Sequence, residues 1–96
     1  MLILRTVSRQ PSHGYAIAQH IQRVSDDALQ IGEGSLYPAL QRLLLNGWVV
    51  AEWGTSDTNR KARFYRITPA GRRQLASEAK NFTFLISAIA RVMETS

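Results

Sequence analysis

The sequence predicts a mainly helical α+β chain, with helices toward both ends and one small β-hairpin between them. Three observations predict it. Leu36, Leu40, Leu43 and Leu44 fall at the i, i+4, i+7 and i+8 positions of one face of a helix. Two runs rich in β formers, Trp48–Trp53 and Arg63–Ile67, flank Gly54–Asn59, which is turn chemistry throughout. From Leu75 to Met93, apolar residues recur at steps of four, three, four, three and four, and no Pro or Gly interrupts residues 72–96.

Each element has its own local reason. Residues 1–8 form a short first helix carrying Leu2, Ile3, Leu4 and Val7, with Pro11 at or just beyond its end. Ser12 suits the N-cap of a second helix over roughly 13–25, whose apolar stripe is Tyr15, Ile17, Ala18, Ile21 and Val24. Asp26 and Asp27 break that stripe, and the alternation Leu29-Gln30-Ile31 predicts a very short strand. The third helix covers about 34–46. Pro38 is compatible with its first turn only, since deeper it deletes a hydrogen bond and clashes, so the helix is expected to start near Ser35. Asn46-Gly47 ends it. The hairpin follows, with Arg60 and Lys61 in its loop. Thr68 as N-cap and Pro69 at the first helical position open the last helix. Its seam is Leu75, Ala79, Phe82, Ile86, Ile89 and Met93, widened by Leu85 and Val92.

The order helix, helix, helix, hairpin, helix is that of a winged helix-turn-helix with a long C-terminal dimerisation helix. The expected division is a winged-helix DNA-binding domain over 1–67 and the dimerisation helix over 68–96. The interval Ser25–Gly32 is longer than the turn of the simplest helix-turn-helix, and a short strand at Leu29–Ile31 would absorb it.

Charge points to the partner. Lys plus Arg is 12, Asp plus Glu is 7, and the net charge is +5. Residues 60–73 hold Arg60, Lys61, Arg63, Arg66, Arg72 and Arg73 and no acid, so a local positive potential is expected there. If the four leucines of the third helix face inward, Ser35 and Tyr37 can donate to phosphates, and Gln41 and Arg42 can reach base edges. Packing against the hairpin is the other reading of Tyr37, and a solvated surface cation the other reading of Arg42. Arg60 and Lys61 at the hairpin loop, with Arg63 beside them, suit a phosphate backbone. A last helix of residues 69–95 is about 40 Å long, more than a small domain can cover. Its distal seam therefore predicts a two-fold dimer, the alternative being cover by the first helix of the same chain.

Other chemistries are excluded or weak. The absence of Cys removes disulfides, thiolate zinc sites and a Cys nucleophile. His13 and His20 are seven apart, outside the spacing of a helical metal pair, so no metal is expected. Gly32-Glu33-Gly34 opens like a dinucleotide fingerprint, but Tyr37 stands where the third glycine belongs. No acid pair or nucleophile elbow is present, so no enzyme and no cofactor are expected. Neither a signal peptide nor a membrane span is read from the sequence, and a cytoplasmic location is expected.

His13-Gly14-Tyr15, Glu33–Leu40, Gly47-Trp48, Arg63-Phe64-Tyr65 and Ile67-Thr68-Pro69-Ala70-Gly71 lie in this order over roughly residues 1–75. Together they resemble the PadR family of bacterial transcriptional regulators. Ala51–Ser56 with Asn59-Arg60 looks like its short-tailed branch. The resemblance implies a winged-helix homodimer, usually a repressor of a palindromic operator in double-stranded DNA, often released by a small hydrophobic or aromatic effector. It implies that Ser35, Tyr37 and Pro38 begin the recognition helix and that Arg60 and Lys61 tip the wing. It implies dimerisation through the last helix, assisted by the first, and makes Phe82 and Phe84 the candidates for effector contact. The chain departs from the family at both ends, where residues before the first helix and the long C-terminal domain of some relatives are missing. Two rival readings remain: a winged helix that binds protein, and a small-molecule sensor whose DNA contact is secondary.

Overall fold

The computed structural model describes residues 1–95, so Ser96, the last residue of the expected dimerisation segment, lies outside the described residues. The elements are α1 (Leu2–Arg9), β1 (Ser12–His13), α2 (Gly14–Val24), α3 (Glu33–Leu45), β2 (Val49–Thr55), β3 (Lys61–Ile67) and α4 (Pro69–Glu94). The strands form one antiparallel sheet in the order β1-β3-β2, with Val49 opposite Ile67 and Thr55 opposite Lys61. This is the α+β, winged-helix layout with a long last helix that the sequence predicts.

The core sits where α1, α2 and α3 converge on the base of the hairpin. Leu4, Ile17, Leu40 and Val49, one from each element, are its fully buried centre. Burying each such side chain stabilises the fold by about 1.5–3 kcal/mol. Ile3, Val7, Ile21, Leu36, Tyr65 and Ile67 complete it, and Leu43, Leu44 and Leu75 pack on its rim.

Three local expectations are corrected. Ser12 is not the cap of α2. It lies buried in β1 opposite Tyr65, and His13 caps the helix instead, its Nδ1 accepting the Ala16 N–H at 3.2 Å. The strand expected at Leu29–Ile31 does not form. The place beside β3 is taken by Ser12–His13, and the Leu29 N–H donates to Ser25 Oγ at 3.0 Å rather than to a neighbouring strand. The α2–α3 connection turns instead through Asp26 and Asp27, both in the left-handed region. Finally, α3 starts at Glu33 on a Gly32 cap, so Pro38 stands in its second turn rather than its first. Pro38 has no N–H for the Gly34 carbonyl, and that carbonyl lies at an exposed position where water can serve it.

The ends of α3 and α4 are locked together. Gly47, at φ 72°, closes α3, donating to the Leu44 carbonyl at 3.0 Å while Trp48 donates to Leu43 at 3.0 Å. Thr68 then caps α4 by accepting the Gly71 N–H at 3.0 Å, and its hydroxyl donates to the Gly47 carbonyl at 2.7 Å. Its N–H donates to the Trp48 carbonyl at 3.0 Å. Glu78 still touches the body, its carboxylate 3.3 Å from the N-terminal ammonium of Met1; beyond it α4 leaves the domain, and the molecule measures 54 × 29 × 22 Å. Phe82, Leu85, Ile86, Ile89, Val92 and Met93 are all exposed, so α1 does not cover the distal seam within the chain.

Candidate nucleic-acid interface

Burial divides α3 into two faces. Leu36 and Leu40 are buried and Leu43 and Leu44 half-buried, while Ser35, Tyr37, Pro38, Gln41 and Arg42 are exposed. All five residues expected to meet DNA from this helix thus lie on its free surface. They do not form one cluster. Ser35 and Tyr37 are two residues apart and so lie on nearly opposite flanks of the helix. Tyr37 leans on the start of α2: a Cβ added at Gly14 would sit 3.2 Å from Tyr37 Cε1. Gly14 thus leaves the room in which the half-exposed ring rests. Among the described residues Arg42 makes no ion pair, and Asn46 Nδ2 donates to its backbone carbonyl at 2.9 Å.

The hairpin supplies the second surface. Side chains alternate along its strands, so Val49, Ala51, Tyr65 and Ile67 share a face with Trp53, Thr55, Lys61 and Arg63. Near the base that face is core, with Val49, Tyr65 and Ile67 buried. Toward the tip it clears the helices, and the same face becomes Trp53, Lys61 and Arg63. Trp53 stands directly opposite Arg63. The Lys61 ammonium lies 5.6 Å from the centre of the Trp53 ring, and the Arg63 guanidinium 5.9 Å from that of Tyr65. Lys61 is the first residue of β3 rather than a loop residue; the connecting loop is 56–60, held by the Ser56 N–H donating to the Arg60 carbonyl at 2.8 Å. On the outer face, Arg66 pairs with Glu52 at 2.8 Å. Among the described residues no carboxylate pairs with Arg60, Lys61 or Arg63. Three uncompensated cations therefore face one side of the wing.

A cleft of about 950 Å³ joins the two surfaces. Tyr15 and Gln19 of α2 and Tyr37 of α3 form one wall, and Trp53, Arg60, Lys61 and Arg63 the other. Ser35, Pro38, Gln41 and Arg42 lie outside it. Tyr15, Gln19 and Trp53 escape the sequence reading. Trp53 was legible in principle, because two-residue alternation from Val49 places it on the face that Arg63 shares. Helical spacing puts Tyr15 on the apolar stripe of α2, yet it is 67% exposed and its hydroxyl accepts from Gln19 Nε2 at 3.0 Å.

On α4, Leu75 packs on the core, whereas Ala79, Phe82, Ile86, Ile89 and Met93 line an exposed seam. Phe84 is 72% exposed and two residues from Phe82, so the two rings point to nearly opposite sides of the helix and cannot line one cavity on the seam. Among the described residues there is no group of His, Asp or Glu fit to hold a metal, and no helix long and apolar enough to cross a membrane.

Known proteins share this arrangement. The chain is 35% identical over 78 residues to transcriptional regulator Rv3488 of Mycobacterium tuberculosis, covering 81% of this chain and 69% of that protein. It is 31% identical over 93 residues to a protein of Lysinibacillus sphaericus, covering 97% of this chain and 85% of that one. A transcriptional regulator from Clostridium thermocellum superposes with a TM-score of 0.84 at 29% identity, over 94% of this chain and 87% of the other. The smu.1704 protein of Streptococcus mutans does so at 0.86 and 29%, over 97% and 83%. The description of the transcriptional regulator PadR-like family matches residues 3–77. The chain therefore belongs to the PadR-like family and is a DNA-binding transcriptional regulator.

Proposed function

We propose that the chain acts as a homodimer that binds a roughly palindromic operator in double-stranded DNA and represses transcription in the cytoplasm until a small hydrophobic or aromatic effector releases it. In this reading residues 1–67 are the DNA-binding domain and 68–96 the dimerisation helix. The helix α3 that Ser35, Tyr37 and Pro38 begin enters the major groove, Gln41 and Arg42 reaching base edges and Ser35 and Tyr37 donating to phosphates, while Arg60, Lys61 and Arg63 contact backbone phosphates. A two-fold axis between the α4 helices sets the half-sites about one helical turn apart.

The observation that carries the reading is the free distal half of α4. Phe82, Ile86 and Ile89 are each about half exposed on one seam, and Leu85, Val92 and Met93 extend it. An apolar stripe of that length on a soluble domain marks an interface, and closed two-fold pairing is its commonest solution. Heptad spacing suits a second copy of the same helix. Sedimentation at micromolar concentration is the test. The wild type should run at about twice 10.8 kDa, and Phe82→Glu as the monomer. A tight Phe82→Glu dimer would sink the seam assignment. For release, Phe82 is the ring that faces the seam, so an apolar ligand that weakens DNA binding should lose its effect in Phe82→Ala. An unchanged ligand effect would move the effector site elsewhere.

A further inference from the structure

Trp53 has no structural task that explains its exposure. It is 65% exposed, although a Trp carries a large apolar area and this one lies on a strand whose base is buried. Its surroundings define what would meet it. Arg63 is its direct cross-strand neighbour, Lys61 lies 5.6 Å from its ring, and Arg60 shares its cleft. Among the described residues the one carboxylate lining that cleft is Asp57. Glu52, adjacent in sequence, points to the opposite face and is occupied by Arg66. A flat ring among three unpaired cations fits a partner that alternates planar or apolar units with anionic ones, as nucleic acid does with its sugars, bases and phosphates. Tyr15 and Tyr37 face it across the cleft, so the concavity presents aromatic surface on both walls.

We propose that Trp53 is a direct DNA contact of the wing, packing its ring against deoxyribose and base edges while Lys61 and Arg63 on the neighbouring strand take the adjacent phosphates. The inference rests on the DNA-binding reading and adds to it an apolar contact. Its signature differs from that of the cations. Trp53 is uncharged, so its removal weakens binding without releasing fewer counterions, whereas loss of a phosphate-bound cation lowers the salt slope by about one. The contact also needs a ring, not an indole N–H, so Phe suffices.

The experiment measures affinity for a random-sequence duplex across salt concentrations for wild type, Trp53→Ala and Trp53→Phe, with Arg60→Ala as the charge control. Trp53→Ala should bind about tenfold more weakly with an unchanged salt slope, and Trp53→Phe close to wild type. The variant should melt with the wild type, because the side chain is exposed. DNA should also shield wild-type Trp fluorescence from acrylamide, and this shielding should vanish in Trp53→Phe, which retains Trp48. Wild-type affinity in Trp53→Ala while Arg60→Ala is weakened would overturn this inference and leave DNA binding standing. A slope lowered by about one in Trp53→Ala would also overturn it, by showing that the ring acts only through Lys61. No binding by the wild type would overturn both readings.

Discussion

Replacing Gly71 with Ala adds one methyl group at the joint between the winged body and α4. The structure leaves no space for it. The new Cβ would lie 2.0 Å from the Trp48 carbonyl oxygen, 2.9 Å from the Trp48 carbonyl carbon and 2.8 Å from Ile67 Cγ1. Two of these are backbone atoms at the end of α3 and the start of the hairpin, so no side chain can rotate away. Relief requires α4 to move out by an ångström or more, which strains the 3.0 Å hydrogen bond from the Thr68 N–H to the same Trp48 carbonyl. Overpacking of this kind costs about 1–3 kcal/mol, and the loss of the hydrogen bond about 1 kcal/mol more. Ala is favoured over Gly in a helix by about 1 kcal/mol, which offsets part of it. The net expectation is a loss of about 1–3 kcal/mol, or a melting temperature lower by roughly 5–20 °C for a chain of this size. Thermal unfolding followed by circular dichroism at fixed protein concentration measures it. Gly54→Ala is the internal comparison. Its Cβ would meet Phe64 Cδ1 at 2.9 Å, but a half-buried ring can shift, so the cost should be smaller. If Gly71→Ala melted at or above the wild-type temperature, the close packing of α4 on the Trp48 carbonyl would be refuted.

His13→Ala removes the acceptor for the Ala16 N–H and the ring packed edge-on against Phe64 at 5.4 Å, and should cost about 1 kcal/mol; His13→Asn, which keeps a capping oxygen, should recover part of it in the same melting assay. Arg60→Ala and Lys61→Ala should each weaken binding to all duplexes alike and lower the salt slope by about one, read from anisotropy titrations; an unchanged slope removes that residue from the phosphate footprint. Glu52→Gln breaks only an exposed ion pair on the outer face of the wing, so stability should change by less than about 1 kcal/mol in chemical denaturation.

Most of the fold is legible because its signals are local and agree with one another. The leucines of α3, the Thr68-Pro69 start of α4 and the Asn46-Gly47 end of α3 are each decided within a few residues. The misses are decisions made at a distance. Nothing near Ser12 says that Tyr65, over fifty residues away, will pair with it, so local signals favour a cap at Ser12 and a third strand at Leu29–Ile31. Pro38 argued for a later helix start, but an exposed carbonyl at Gly34 makes the second turn tolerable. The candidate site divides the same way. Charge and turn chemistry reveal Arg60, Lys61 and Arg63, and helical spacing reveals the exposed residues of α3. Trp53, Tyr15 and Gln19 join them because the hairpin register and the place of α2 beside the wing bring distant segments around one cleft. Phe82 and Phe84 are named together through the family resemblance, whereas helical geometry sets them back to back.

The most direct measurement is fluorescence anisotropy of a labelled random-sequence duplex titrated with the wild-type chain at low and at moderate salt. Arg60, Lys61 and Arg63, free of carboxylate partners among the described residues, should give clear binding at low salt that falls steeply as salt is raised. Absence of binding at low salt, by protein shown to be folded and free of any copurified ligand, would contradict the phosphate-binding wing on which the proposed mode of regulation depends.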